Sequence, residues 1–514
     1  MKFLRSKHVE ILSFILFIGS FLRLYQLNTE SLWIDEMNSL YSADNLGWEN
    51  PRPIYFLILQ LWTILGDSDS WLRSISLICG LGSLVLTYHL AKQLTDRNIA
   101  LVSTLLLAVS PIVINHSQEV RMYSLVIFLS LLGTVALVEF FDRPSRKWLV
   151  LWSLSRLLNV LTFQLTILLL LPDIVIFLFC FKPWRKWLRA FILALGLLVL
   201  GLLPTVILSY WSSIQGYFGP RTGGEEEAAS ETASASVSLI STIADSVTSL
   251  VSKLVSLTVF WPLNLVLGNS LLGLFYKAFA LVIFLLLVFA VFKRNAIGRT
   301  NLILIWTFLP SITLFLGSTL FLGGEIWISR YLLFIVPYFL IAIAVGFSQL
   351  WRWQPQFTVA LVLLYSLAVG GGLTYYYTTL YRDDWQGLAR VLEENATPSD
   401  TVVYFAPKKY VEYSLPRYYD ASPPLYAVSN VENEFADEPL PGDFTEDLPT
   451  DGSKLYLACY ISCRNEEGVN SIAQKVIGEN FAIEAEQSFQ GKSPGTVWPL
   501  RLLTIAPGEA KQPK

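Results

Sequence analysis

The sequence predicts a polytopic α-helical membrane protein of about eleven transmembrane helices with a small C-terminal extracytoplasmic α/β domain. Three observations predict it. Hydrophobic residues fill 54% of the 514 positions and charged residues only 15%, against about a quarter charged in a soluble domain. Apolar runs of spanning length recur through the first 376 residues, and from about 377 the composition turns mixed and polar. Mean hydropathy is +0.51, while a net charge of -3 and a pI near 5.8 exclude a nucleic-acid binder, a disordered chain and a fibrous repeat.

A spanning helix needs about 20 mostly apolar residues, because lipid offers the backbone no hydrogen-bond partner. Such runs fall near 11–27, 72–92, 98–115, 122–141, 148–163, 164–181, 190–210, 272–292, 301–322, 331–349 and 358–376. The stretch 148–181 reads as one long helix or two short ones. No small-residue cleavage site follows the first run, so it reads as an anchor and not as a cleaved signal.

Lys and Arg in short loops set the direction. Lys2, Arg5 and Lys7 place the N-terminus in the cytoplasm, and the basic loops at Lys92/Arg97, Arg143–Lys147, Lys182–Arg189, Lys293–Arg299 and Arg352 then fall on the same side. Those around Asp35-Glu36, Gln118-Glu119, Glu225–Glu227 and Glu325 fall outside. This alternation holds only if 53–66, apolar for about 14 residues and short for a crossing, lies at the outer face as an interfacial or re-entrant helix. The first outer loop is then 28–71, a second large one is 211–271, and the C-terminus is outside.

The outer domain, 377–514, starts with a helix-like Trp385–Glu394 and a β-forming Thr401–Phe405, and carries an acidic loop over 431–451. Of the four cysteines, Cys79 and Cys180 lie in spans and read as packing residues. Cys459 and Cys463 lie in an oxidising compartment on this topology, where a disulfide is allowed across a turn.

Chemistry-bearing residues gather at the outer face. Asp35-Glu36 follow Trp33 and Ile34 at the bilayer surface. In a partly dry site one carboxylate can serve as general base while its neighbour positions a partner; a plainer role is Asp35 capping the next helix. The third run ends His116-Ser117-Gln118-Glu119-Val120-Arg121-Met122-Tyr123. Arg121 has a planar donor fork suited to phosphate, or it snorkels to the headgroups or pairs with Glu119. His116 and Glu119 sit three apart, a spacing shared by metal ligands and by core or cap residues. Arg330 and Arg52 stand against the positive-inside tendency and so call for an anion or a function.

These segments together resemble the polytopic type C glycosyltransferases, in particular the protein O-mannosyltransferase and aminoarabinose transferase branch. The resemblance rests on Asp35-Glu36, on Pro53-Ile54-Tyr55-Phe56, on Ser117-Gln118-Glu119-Val120-Arg121-Met122-Tyr123 and on Arg330-Tyr331-Leu332-Leu333. Arg52 stands where such proteins often carry a second proline. The resemblance implies an inverting glycosyltransferase of the plasma (inner) membrane. It would take a polyprenyl-phosphate-linked sugar as donor and a protein, lipid or glycan as acceptor. Asp35 and Glu36 would be the catalytic pair, and Arg52, Tyr55, Glu119, Arg121, Tyr123 and Arg330 would bind substrate. No cofactor is required if arginines neutralise the phosphate, although a divalent ion on Glu36, His116 or Glu119 stays open. A transporter or flippase of lipid-linked sugars is the alternative. It would place polar groups at mid-membrane, where only Arg156 and Asp173 stand out.

Overall fold

The computed structural model describes residues 2–47, 50, 52–218, 286, 299–321, 329–379, 382–406, 408–428, 453–460, 473–474, 476–478, 480–491 and 500–507. All of the expected span at 272–292 except Leu286, most of the loop 211–271, the acidic loop and Cys463 lie outside the described residues. The chain divides into two compact units: Met1–Tyr25, Leu46–Ile58 and Arg73–Thr374 form the first; Gln26–Asn45, Leu59–Leu72 and Tyr375–Lys514 form the second.

The first unit is helical. Six described helices are long and apolar enough to cross a membrane: Asp69–Leu94, Tyr123–Asp142, Trp184–Ile207, Thr300–Gly317, Arg330–Trp353 and Pro355–Thr378. The run expected at 98–115 is two helices, Arg97–Ala108 and Pro111–Ser117, bent by 61°. Ser110 is extended and Pro111 starts the second helix, a position that tolerates its missing N–H. The bend strands carbonyls at the end of the first helix. The buried Arg23 guanidinium donates to two of them, at 2.9 Å to Ala108 O and 3.1 Å to Leu107 O. Gln118 in turn donates to the carbonyls of Arg23 (3.0 Å) and Tyr25 (2.8 Å). Unpaired polar backbone at membrane depth would cost several kcal/mol per group, and these two side chains remove that cost.

The stretch 148–181 is likewise broken. A helix runs Arg146–Thr162, Phe163 is extended, a 3-10 turn covers Gln164–Leu169, and a helix continues over Leu170–Cys180. Arg156 and Asp173, on opposite sides of the break, are both fully buried. They form a two-pronged ion pair, with Nε to Oδ2 at 2.7 Å and Nη2 to Oδ1 at 3.2 Å. Trp152 and Trp306 donate indole N–H groups to Asp173 at 2.7 and 2.8 Å. Arg156 also donates to Ser130 O (2.9 Å) and to Thr134 Oγ1 (2.8 Å), which meets the Tyr338 hydroxyl at 2.6 Å. One charge pair thus joins five helical segments. Gly133 makes room for it: a Cβ there would lie 2.9 Å from Arg156 Nη1.

In the second unit, β1 (Thr401–Phe405), β2 (Leu425–Val428), β3 (Leu455–Tyr460), β4 (Phe481–Ser488) and β5 (Leu500–Pro507) form a sheet in the order β2-β1-β3-β5-β4. The first three strands are parallel, and β5 runs antiparallel to β3 and β4. Val403, Phe405, Leu455, Leu457, Cys459, Leu503 and Ile505 share an apolar core. Alternation turns Tyr404 and Tyr460 to the opposite face. There the helix Trp385–Asn395 begins with its Trp385 ring 4.9 Å from Tyr460 and 5.8 Å from Tyr404. Buried Trp385, Leu388, Ala389 and Leu392 follow the helical period, and the Asp384 side chain caps the helix by accepting from Gly387 N at 2.8 Å. Cys459 is disulfide-bonded, whereas Cys79 and Cys180 are free.

Replacing Arg156 by Met leaves the Asp173 carboxylate buried without its cation, a change that typically costs about 3–5 kcal/mol. The detergent-solubilised variant should lose its monodisperse peak at a markedly lower temperature than wild type. Arg156→Met combined with Asp173→Leu should recover much of that loss. A single variant that melts like wild type would show the pair to be dispensable.

Candidate active site

The residues expected to form the site divide between the two units: Arg52, Tyr55, Glu119, Arg121, Tyr123 and Arg330 lie in the first, Asp35 and Glu36 in the second.

Within the first unit, three arginines distant in sequence share one aromatic platform. The Phe163 ring, set at the helix break, lies 6.2 Å from the Tyr123 ring and 5.6 Å from the Tyr331 ring. Arg52 lies over Phe163 (5.8 Å), Arg121 over Tyr123 (5.8 Å) and Arg330 over Tyr331 (5.6 Å). Guanidinium groups at this range are held by the negative ring faces. All three are half-buried, whereas Tyr123 and Phe163 are buried. Both bearing segments are irregular: Arg121 lies in the turn between Pro111–Ser117 and Tyr123–Asp142, and Arg330 in the 3-10 turn Ser329–Ile335.

Glu119 is buried and accepts from Asn115 Nδ2 at 2.9 Å, while its other oxygen lies 2.8 Å from His116 Nδ1. The His116 ring packs 4.7 Å from Tyr123, so this group buttresses the platform from behind. His116 and Glu119 bond each other, and no group of three His, Cys, Asp or Glu suited to a metal occurs among the described residues. Tyr55, on the helix Pro53–Thr63, is buried with its ring 5.8 Å from Phe56.

In the second unit, Asp35 is half-buried in the first turn of the helix Ile34–Asp44. Asp35 does not cap that helix. Trp33 occupies the cap position, and Glu36 reaches back so that Trp33 N donates to its Oε2 at 3.3 Å. Glu36 is wholly buried, and Arg382, itself 3% exposed, faces it with Nη1 at 3.6 Å. Arg382 Nε lies 3.6 Å from Glu30 as well. Next to it, burial pushes the Asp383 carboxyl up to about 6, against the opposing pull of hydrogen bonds from Gly491 N and the Tyr460 hydroxyl.

Sequence reasoning missed Phe163, Tyr331 and Arg382 as parts of these groupings. Phe163 is one aromatic among many in an apolar run, and nothing local distinguishes it. Arg382 carried a visible signal in the charged cluster Arg382-Asp383-Asp384 just before a helix. An apolar groove of about 760 Å³ lies elsewhere in the first unit, between Arg97–Ala108, Val336–Trp353 and Pro355–Thr378. It reaches Arg352, at the far end from Arg330 of a helix about 27 Å long at 1.5 Å per residue, and includes none of the expected site residues.

Residues 49–211 match the family model described as dolichyl-phosphate-mannose-protein mannosyltransferase, which bears out the resemblance to type C glycosyltransferases over that segment. The match takes in Arg52, Tyr55, Glu119, Arg121 and Tyr123, and stops short of Asp35-Glu36 and Arg330. A comparison with curated proteins gives no match. Among solved structures, the chain is similar to the apo oligosaccharyltransferase of Archaeoglobus fulgidus, at 13% identity and TM-score 0.49, over 98% of this chain and 75% of that one. It is also similar to apo ArnT from Cupriavidus metallidurans, at 14% identity and TM-score 0.42, over 99% of this chain and 100% of that one. A third similar structure is the arabinofuranosyltransferase AftD from Mycobacteria, at 12% identity and TM-score 0.40, over 99% of this chain and 40% of that one.

Asp383 supplies a pH test of the second unit. A carboxyl held neutral in the folded state near pH 6 and ordinary at 3.8 when unfolded favours folding at low pH. That contribution is complete below about pH 4 and lost as pH rises through 6, a change on the order of 3 kcal/mol. Thermal unfolding followed by tryptophan fluorescence should therefore show stability falling between pH 4 and 7, with Asp383→Asn flattening the slope. An equal slope in the variant would remove Asp383 as its source.

Proposed function

We propose that this chain is an integral-membrane glycosyltransferase that moves a sugar from a polyprenyl-phosphate-linked donor to a protein, lipid or glycan acceptor at the outer face, with inversion at the anomeric carbon. The observation that carries it is the gathering of Arg52, Arg121 and Arg330 on the Tyr123–Phe163–Tyr331 platform. Fixed guanidinium forks set among aromatic rings at the rim of a helical membrane unit suit a phosphate whose isoprenoid tail favours the bilayer. The family match over 49–211 supports the same donor class. The reading includes eleven spans, a cytoplasmic N-terminus and an extracytoplasmic C-terminal domain, as the loop charges direct.

The acceptor hydroxyl or amine attacks the anomeric carbon from the face opposite the phosphate. Its proton passes to Asp35, the bond from anomeric carbon to phosphate oxygen breaks, and the lipid phosphate leaves with the electron pair. The arginines stabilise charge growing on that phosphate, and Tyr123, Tyr55 and Glu119 shape and support their surroundings. Glu36, wholly buried, serves the placement of Asp35. No step is routed through a metal. Transport without chemistry finds less support, because the two mid-membrane charges, Arg156 and Asp173, are engaged with each other and with neighbouring helices.

Asp35→Asn should abolish transfer while donor binding stays near wild type; full activity in that variant would remove it as the base. Arg121→Ala should lower turnover by a factor of about 100–1,000, the usual cost of one such charge contact. Unchanged kinetics would take Arg121 out of the site. Mass spectrometry of lipid-linked sugars and envelope glycans in a deletion strain should show one polyprenyl-phosphate sugar accumulating and one glycoconjugate losing that sugar. An unaltered profile in both pools would overturn the proposal.

A further inference from the structure

The second unit contains two segments of the first loop, 26–45 and 59–72, together with the C-terminal chain. The links between them are dense and specific. Arg382 reaches Glu36 and Glu30. Ser31 Oγ accepts from Gln386 N at 3.0 Å, and the Tyr418 hydroxyl accepts from Leu32 N at 2.9 Å while donating to Asp69 Oδ2 at 2.6 Å. Arg417 grips the other loop segment, with Nε at 2.8 Å from Asp69 Oδ1 and Nη1 at 3.0 Å from Asp67 Oδ1. Tyr413 donates to Asp44 Oδ2 at 2.6 Å, at the far end of the helix that carries Asp35. Both ends of that helix are therefore tied to residues 382–418.

We infer that the C-terminal domain is the mount of the Asp35 helix, and that Arg382, acting through the buried Glu36, is a positioning residue for Asp35. The inference rests on the reading of Asp35 as the base. Glu36 holds the helix start through its bond to Trp33 N, and the Arg382 guanidinium faces that buried carboxylate at 3.6 Å and holds it in place. Without the guanidinium, the buried carboxylate loses its counter-charge and shifts from its place at the helix start. That shift loosens the first turn, one residue from Asp35, and displaces the base without removing any group that touches substrate.

The test uses the full-length protein in detergent and three variants. In Arg382→Gln, amide hydrogen exchange over 33–45 should speed up by about tenfold or more, while the β1 and β3 amides keep their protection. Arg382→Lys, which keeps the charge, should fall back toward wild type. Tyr418→Phe, which removes only a hydroxyl, should loosen the amides near Leu32. With a polyprenyl-phosphate sugar as donor, Arg382→Gln should lose about tenfold or more in kcat, with KM for the donor within about twofold. Unchanged exchange over 33–45 in Arg382→Gln would overturn the inference, and so would equal loosening of the β1 and β3 amides. If wild type transfers no sugar, the glycosyltransferase reading fails on its own, and the exchange pattern still decides whether Arg382 holds the helix.

Discussion

The Arg156–Asp173 pair is the constraint on which the first unit depends. Two charges removed from water persist only when each is matched by the other and by further donors and acceptors. Here two indoles, a backbone carbonyl and a threonine hydroxyl complete the set. The pair bridges the helices on either side of the Phe163 break, so the break is held open at a fixed place. Phe163 can then stand as the middle ring of the platform that seats Arg52, Arg121 and Arg330. A buried ion pair, which in isolation hints at transport, thus acts here as the frame behind the arginines.

The same rule governs the other irregular places. At the 61° bend near Ser110, Arg23 answers the carbonyls the bend sets free, and Gln118 answers those of Arg23 and Tyr25, where the helix Lys2–Leu24 ends. In the second unit Glu36, buried beside Arg382, ties down the start of the helix that carries Asp35. In each case a polar side chain sits in an apolar setting because one particular backbone or charged group needs it. Substitutions there act on geometry before they act on chemistry.

Legibility differed between fold and site. The long apolar runs were plain at 69–94, 123–142, 184–207, 300–317 and 330–378, because burial in lipid demands length and apolarity along one continuous segment. The helix Trp385–Asn395 and strand Thr401–Phe405 were equally plain from periodicity. The break at Phe163 was one of the two readings of 148–181, whereas the bend at Ser110 was not legible, since an apolar run reads alike whether straight or bent. Arg52 and Arg330 stood out as cations in loops read as outer, where they are unusual, and Arg121 for its planar donor fork suited to phosphate. Their common platform did not, because two of its three rings belong to segments more than 160 residues apart.

What the sequence alone determined is the solvent of each segment: which stretches belong in lipid and which in water. Those are local properties of composition and length. Tertiary structure alone decided the partners: Asp173 for Arg156, Phe163 for Arg52, and Arg382 for Glu36. Each pairing closes a gap between residues remote in the chain, and a buried charge accepts whichever complementary group the packing delivers.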